Sequence, residues 1–232
     1  MRAPVIAIDG PAASGKSSTA AAVARALGFV HIDSGSLYRA LTWVSVTRRV
    51  DDPTEILAGA GALHVGLRLE GTLLQVEIDG VDDVDLAIRT TAVTANVSAI
   101  AAMPPLRDWV NARIREVIER LPGAVIDGRD IGTVVVPDAE LKVFLTATPA
   151  ARAERRLAQR GGRVDPAQLA AETATLAERD RQDAGRATAP LQQPADAVVL
   201  DTTTLGFADQ VARIVAFAAE RGLQPPSGAD IL

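Results

Sequence analysis

The chain has 232 residues, of which 48% are hydrophobic, and its formal net charge is −5. That length and apolar content are enough for a full core, so the composition argues against a disordered chain and favours one domain with elaborations. The negative charge disfavours a protein that coats nucleic acid, and the absence of cysteine excludes disulfides and thiolate metal sites.

The first residues of the chain predict a cytoplasmic protein with no membrane partner. The apolar run after Met1 is short and reaches Asp9 too soon for a signal peptide. No run in the sequence reaches the length of a membrane span. A cysteine-free chain also suits a reducing cytoplasm.

A phosphate-binding loop lies between the first predicted strand, 5–8, and a predicted helix, 17–27, which Gly28 ends. The intervening sequence GPAASGKS matches the Walker A pattern in full. Its glycines permit backbone N–H groups to converge on phosphate oxygens, and the helix N-terminus adds partial positive charge. We expect Lys16 to contact the outer phosphates and the Ser17 hydroxyl to bind Mg²⁺. The predicted ATP-binding residues are Gly10, Pro11, Ala12, Ala13, Ser14, Gly15, Lys16, Ser17 and Ser18.

The apolar runs that follow predict an α/β fold. They are separated by helical patterns such as that at 37–49, as expected for a parallel sheet covered by helices on both faces. The further strand candidates are 29–32, 124–126, 141–145 and 197–200. Alternating apolar and polar residues at 63–89, with turns at Gly71–Thr72 and Asp79–Gly80, predict a small antiparallel β insert on this core.

The kind of P-loop protein is narrowed by two features. Regulatory GTPases commonly carry an Asn-Lys-x-Asp element, and Lys142 does not belong to one. The predicted strand at 124–126 ends in Asp127, where a second Mg²⁺-associated carboxylate is placed beside a P-loop, and Arg129 and Asp130 follow. The residues favour a kinase with a small acceptor and leave open a nucleotide-switched binding module.

Several motifs in this order resemble bacterial cytidylate kinases over nearly the whole chain. They are IDGPAASGKS at 8–17, DSG at 33–35 with YR at 38–39, DGRD at 127–130 with GTVV at 132–135, ERD at 178–180 and RATAPL at 186–191. The segment 63–89 resembles the enlarged monophosphate-binding insert of that family. The resemblance implies a helical lid at 151–190 and a P-loop core made of 1–62, 90–150 and 191–223, while the Pro- and Gly-rich 224–232 predicts a flexible tail.

The resemblance also implies roles for individual residues. Ser34, Arg39 and Arg129, with Tyr38 beside them, would bind the acceptor phosphate. Base recognition would rest on Ser98, Arg107 and Asp130. On the lid, Arg179 and Arg186 would meet phosphates and Asp183 the acceptor ribose. The catalytic residues implied are Lys16, Arg39, Asp127, Arg129 and Arg186, and the metal ligands Ser17 and Asp127.

The reaction implied is transfer of the ATP γ-phosphoryl group to CMP or dCMP by a monomeric, Mg²⁺-dependent enzyme that does not act on nucleic acid. The alternatives are a P-loop kinase for another acceptor, such as UMP, a different nucleoside monophosphate, shikimate or dephospho-coenzyme A, or the binding module named above. Arg152, Arg155, Arg156 and Arg160 are as consistent with plain surface charge as with a place in the site. His31 and His64 have no metal-like partner nearby in the sequence, and Trp43 and Trp109 are expected in the core.

Overall fold

The first strand, β1 (Val5–Asp9), is buried along its whole length, as expected for the centre of a parallel sheet. It pairs in parallel with β5 (Ala124–Gly128) and with β6 (Leu141–Thr146). Beyond them, β2 (Val30–Asp33) pairs with β5, and β7 (Val198–Asp201) pairs with β6. The computed structural model describes residues 3–159, 161 and 165–224, and within those ranges seven strands form one sheet in the order β3-β4-β2-β5-β1-β6-β7.

The predicted antiparallel insert extends this same sheet at one edge. β3 (Gly66–Glu70) and β4 (Leu73–Glu77) form a hairpin across the turn at Gly71–Thr72, and β4 pairs in parallel with β2. Leu74 of β4 is buried in the core, which explains why the hairpin packs onto the sheet instead of standing apart. A short helix, α4 (Val84–Ala87), follows it.

Helices cover both faces of the sheet, which confirms the predicted fold class. Alternate residues of β1 point to opposite faces, so Val5 and Ala7 enter one core cluster while Ile6 and Ile8 enter the other. The helices on the first face are α2 (Ser34–Arg48), α3 (Pro53–Ala62), α5 (Thr91–Ile100) and α6 (Pro104–Ile118); those on the second are α1 (Lys16–Leu27) and α9 (Phe207–Glu220). Trp43 and Trp109 are partly buried against the first cluster, as predicted.

The start of α2 differs from its prediction. The helix begins at Ser34 instead of near residue 37, because Asp33 is in an extended conformation and the chain turns directly after it. The Ser36 hydroxyl donates to the Asp33 carboxylate at 2.8 Å, which stabilises this first turn. The DSG motif is therefore a strand end joined to a helix start.

The charged stretch after β6 forms two helices, α7 (Pro149–Gln159) and α8 (Pro166–Ala184), which pack against each other. Together with Ala12 of the phosphate loop, Ala153 and Leu176 form a small third core. Arg160 and most of the predicted tail, from 225 onward, lie outside the described residues. Among the helices described, none combines the length and the apolarity needed to cross a membrane.

Candidate active site

The phosphate loop takes a backbone path that requires glycine at two positions. Gly10 has φ 152°, and a Cβ there would lie 2.1 Å from the Leu145 carbonyl oxygen on β6. Gly15 has φ 89°, in the left-handed region. The predicted loop residues from Ala12 to Ser18 line a cavity of about 430 Å³. Gly10 and Pro11 do not line that cavity, and Gly10 lies against the backbone of β6.

Lys16 is buried at the base of the cavity. Its Nζ atom donates to the Pro11 carbonyl oxygen at 2.7 Å. Burial, with a smaller contribution from the nearby Arg129 guanidinium, lowers the pKa of Lys16 to about 7. A bound polyphosphate would supply the counter-charge that this ammonium group lacks.

Asp127 and Ser17 meet at the carboxyl end of β5. The Ser17 hydroxyl donates to Asp127 Oδ2 at 2.7 Å, and His31 Nε2 lies 2.8 Å from Oδ1. Burial alone would raise the pKa of Asp127, but the hydrogen bond from His31 and the charge of Lys16 outweigh it and lower the pKa. A hydroxyl and an ionised carboxylate side by side are the hard oxygen donors that Mg²⁺ prefers.

The oxygen atoms of Ser17 and Asp127 also indicate which cation these two residues could bind. Within the described ranges, there is no cluster of three or more His, Cys, Asp or Glu side chains able to enclose a metal ion. Mg²⁺ commonly binds through one or two protein oxygens and completes its shell with substrate phosphates and water. Ser17 and Asp127 fit that mode.

Arginines line the same cavity as the phosphate loop. Burial and the neighbouring Arg129 lower the pKa of Arg179 to about 10, and burial likewise lowers the pKa of Arg39 and of Arg186. Among the described side chains, the buried Nε atoms of Arg179 and Arg186 have no hydrogen-bond acceptor. The lining arginines are Arg39, Arg89, Arg107, Arg129, Arg155, Arg156, Arg179 and Arg186. Crowded guanidinium groups with unused donors form a site for an anion.

Asp183 holds part of this arginine cluster together. It is only 1% exposed and accepts hydrogen bonds from Arg129 Nε at 2.9 Å, from Arg186 and from the Ser98 hydroxyl at 3.1 Å. Burial alone would raise the pKa of Asp183, but Arg129, Arg186 and Arg179 outweigh it and lower the pKa. One carboxylate thus links α5, the turn after β5 and the end of α8.

A second set of polar groups lines the cavity beside α6. Arg107, 2% exposed, is ion-paired with Asp130 and donates to the Ala101 carbonyl oxygen at 2.9 Å. Its guanidinium lies 5.4 Å from the centre of the Tyr38 ring. In the described part of the chain the buried Tyr38 hydroxyl has no hydrogen-bond partner. A carboxylate, a guanidinium and a hydroxyl thus border one side of the cavity.

The substrate-binding residues predicted from sequence all line this cavity. They are Ser34, Tyr38, Arg39, Ser98, Arg107, Arg129, Asp130, Arg179, Asp183 and Arg186.

Comparison with known proteins places this site in a family. The model of the family described as "Cytidylate kinase" matches residues 6–220. The chain belongs to the cytidylate kinase family. A cytidylate kinase of Streptomyces griseus is 44% identical over 87% of this chain and 86% of its own length, and one of Pseudomonas putida is 43% identical over 95% and 98%. A bifunctional pantoate ligase/cytidylate kinase of Synechococcus elongatus is 44% identical over 96% of this chain, which spans 43% of that protein's length.

Arg152 contacts the phosphate loop, a role that the sequence left undecided. It is buried, donates to the Ala12 carbonyl oxygen at 2.8 Å and pairs with Asp180 at 2.7 Å. Arg155 lines the cavity and donates to Thr202. Their positions on α7 give no signal in an arginine-rich chain, because Ala12 and Thr202, which accept these hydrogen bonds, are more than forty residues away in sequence.

Asp9 and His31 also lie at the site, although neither residue was assigned a role there from the sequence. The Asp9 carboxylate accepts from the backbone N–H groups of Ile131 and Gly132 at 2.9 and 2.8 Å, and burial raises its pKa to about 6. Asp9 ends β1 next to Gly128 of β5, so its place at a strand's carboxyl end was a usable signal. His31 faces Asp127 from the neighbouring strand, and its spacing of two residues from Asp33 on β2 would have placed both side chains on one face.

Proposed function

We propose that the chain transfers the γ-phosphoryl group of ATP to CMP or dCMP and so forms ADP and CDP or dCDP. The observation that carries this proposal is a single cavity that joins the phosphate loop to the arginine cluster and to the Arg107–Asp130 pair. An oxygen of the acceptor phosphate forms a bond to the γ-phosphorus, while the bond from that phosphorus to the β–γ bridging oxygen breaks. ADP takes the electron pair as it leaves.

The residues of the cavity suit two anions that must approach each other. Lys16 and the loop N–H groups bind the donor phosphates, while Arg39 and Arg129 bind the acceptor phosphate and screen the repulsion between them. Arg186 stabilises the charge that spreads over the transferred group. No general base is needed because the acceptor phosphate is already an anion at neutral pH, so positioning and charge stabilisation supply the catalysis.

Mg²⁺ would be held by Ser17 and Asp127 together with the donor phosphates. When bound, it neutralises phosphate charge and orients the terminal phosphoryl group. The donor set described above supports this assignment.

Selectivity for cytosine would rest on Asp130 and Arg107 beside α6 and on Ser98 of α5. Cytosine presents an amino donor at N4, which suits the Asp130 carboxylate, and acceptors at N3 and O2, which suit the Arg107 guanidinium and the Ser98 hydroxyl. Uracil would turn its O4 acceptor toward Asp130, and such a mismatch of buried polar groups costs about 1–3 kcal/mol. Asp183 would meet the acceptor ribose and Tyr38 would border the nucleotide.

The α7–α8 pair is proposed as the lid of this site, corresponding to residues 151–190, with the insert at 63–89 on the acceptor side of the core. Closure excludes water, which would otherwise take the phosphoryl group from ATP. Arg179, Asp183 and Arg186 line the cavity from this region and would move with it. The protein would act as a cytoplasmic monomer.

Production of ADP from Mg-ATP tests the proposal with CMP, dCMP, UMP, AMP and shikimate offered one at a time, and with no acceptor as the control for ATP hydrolysis. We expect kcat/KM to be highest for CMP or dCMP. Preference for AMP or shikimate would identify another kinase, and binding of ATP without turnover of any acceptor would favour the nucleotide-switched module.

A further inference from the structure

His31 is a buried histidine that lies directly behind the carboxylate assigned to Mg²⁺. Asp33 of β2 lies opposite Asp127 of β5 in the parallel register, and His31 is two residues earlier, on the same face. This register sets the His31 side chain diagonal to Asp127, and its Nε2 atom is 2.8 Å from Oδ1. Both side chains are almost inaccessible, with 5% and 4% exposure.

The contact fixes which way the Asp127 carboxylate is turned. One oxygen is bonded to His31 and the other accepts from the Ser17 hydroxyl, so the group is held from both sides. Asp33, opposite Asp127 in the register, accepts from the Ser36 hydroxyl, and within the described ranges no hydrogen bond joins its carboxylate to Asp127. Because an ionised carboxylate can only accept, we assign the ring proton to Nε2.

Packing alone does not explain a histidine at this position. With its proton on Nε2, His31 has an Nδ1 atom that is buried and, among the described residues, has no partner. An unpaired buried acceptor costs about 1–3 kcal/mol, whereas an apolar side chain would fill the same place on β2 without that cost. The Asp127 contact is therefore the feature of His31 that offsets this cost.

We propose that His31 is a positioning residue that holds the Asp127 carboxylate ready for Mg²⁺, with Ser17 on its other oxygen. This inference rests on the proposed function, because it assumes that Mg²⁺ binds with the nucleotide at Ser17 and Asp127. Side chains that hydrogen-bond a metal's ligands orient those ligands, and their loss commonly weakens metal affinity 10- to 100-fold. His31 is not among the residues that line the active-site cavity, so its proposed role is exerted through Asp127.

The test compares His31→Gln with His31→Asn, two amides that differ by one methylene in reach. The Gln amide nitrogen reaches about as far as Nε2 and can still donate to Asp127, whereas the Asn amide ends near the position of Nδ1. Calorimetric titration with ADP, without and with Mg²⁺, gives the factor by which Mg²⁺ tightens ADP binding. We expect this factor to be kept by Gln, and to fall roughly 10-fold or more in Asn and in His31→Leu, while metal-free ADP binding stays unchanged in all three.

His64 supplies a matched control. Its Nδ1 atom lies 2.7 Å from Asp79 Oδ2, the same type of pair, but both side chains are largely exposed and neither lines the active-site cavity. His64→Leu should leave the Mg²⁺ factor at the wild-type value. If His31→Leu does not fold, the Gln and Asn variants decide the matter alone.

The outcomes separate this inference from the proposal it rests on. An unchanged Mg²⁺ factor in His31→Asn, with a clear factor in the wild type, would overturn the role of His31 and leave the kinase proposal intact. If Mg²⁺ does not change the ADP affinity of the wild-type protein, both the metal assignment and the role of His31 are wrong. Equal losses in Gln and Asn would show that packing, not the hydrogen bond, is what the site requires.

Discussion

Asp180 on α8 accepts a hydrogen bond from the backbone N–H of Ala12, at 3.0 Å, in the middle of the phosphate loop. Arg152 on α7 closes a ring around the same peptide, since it donates to the Ala12 carbonyl oxygen and pairs with Asp180. The N–H group that Asp180 occupies is one that a phosphate-binding loop can direct at its ligand. The position of the α7–α8 pair and the shape of the loop are thus linked through one residue.

Replacement of Arg152 by methionine tests this ring. The change leaves the Asp180 carboxylate and the Ala12 carbonyl without their charged partner, so we expect the free energy of unfolding to fall by about 2–4 kcal/mol and KM for ATP to rise. Urea denaturation and initial rates measure the two effects. Arg181→Met is the control, because Arg181 pairs with Glu178 on the exposed surface of α8 and such pairs contribute about 0–1 kcal/mol. An equal loss of unfolding free energy in Arg152→Met and Arg181→Met would show that the ring around Ala12 does not stabilise the protein.

Nucleotide binding should take up a proton through Lys16. Its pKa is lowered to about 7 in the free protein, mainly by burial, and the negative phosphates favour the charged form and raise that pKa again. Below pH 7 the ammonium is already present, so Lys16 adds no pH dependence to the affinity there. Above pH 7 binding must protonate Lys16, and the ATP dissociation constant should rise by up to about tenfold per pH unit.

Calorimetry at pH 8 in buffers of different ionisation enthalpy counts the proton directly. Lys16→Met should bind ATP weakly, and its ATP dissociation constant should not change with pH in this way. Lys142→Met should retain the pH dependence, because Lys142 pairs with Asp196 away from the cavity. A wild-type affinity that stays flat from pH 7 to 9 would be incompatible with the lowered pKa.

Asp130→Asn should weaken base selection. The Asn amide can present a donor to uracil O4, and it loses the charge that pairs with Arg107. We expect kcat/KM for CMP to fall by about 10- to 100-fold and the ratio of CMP to UMP to narrow, since about 1–3 kcal/mol of discrimination is at stake. Asp108→Asn is the control, because Asp108 is the exposed neighbour of Arg107 on α6. This variant should change neither kcat/KM for CMP nor the ratio of CMP to UMP. A fall of equal size for both substrates would remove Asp130 from base recognition.

Gly10→Ala should disrupt the loop. The new Cβ would lie 2.1 Å from a backbone oxygen on β6, and φ 152° is unfavourable for alanine. We expect a loss of about 2–4 kcal/mol in the free energy of unfolding, and ATP binding at least tenfold weaker. Gly61→Ala on α3 meets no atom within 4 Å and should stabilise the protein by about 0.5–1 kcal/mol. Thermal unfolding and ATP titration of both variants check this contrast.

Local patterns were sufficient to predict the fold class and the phosphate loop, whereas the residues on the acceptor side of the cavity were predicted from the family resemblance. The period of the apolar runs indicates strands and helices, and the Walker A loop marks the donor side, because each depends on neighbours in sequence. The alternation within 63–89 likewise predicts an antiparallel insert, and the structure has a hairpin there. The alternation does not show that β4 joins β2, since that pairing depends on which edge of the sheet is left uncovered.

The contacts that organise the site were beyond such patterns. Asp180 meets Ala12 across 168 residues, and His31 meets Asp127 across 96. Nothing near Arg152 in the sequence distinguishes it from the surface arginines of the same helix, yet it is 3% exposed. Only the packing of α7 onto the phosphate loop singles it out.

The strand order has a consequence for synthesis of the chain. Val5 of β1 pairs with Ala124, 119 residues further along, and Ile6 pairs with Leu141. At a translation rate of about 5–20 residues per second, the apolar first strand waits roughly 6–24 s for its first partner to leave the ribosome. The nascent chain therefore exposes an unpaired apolar strand to chaperones and to other nascent chains. A chain whose synthesis ends before residue 124 lacks β5 and β6, so it cannot form the complete sheet.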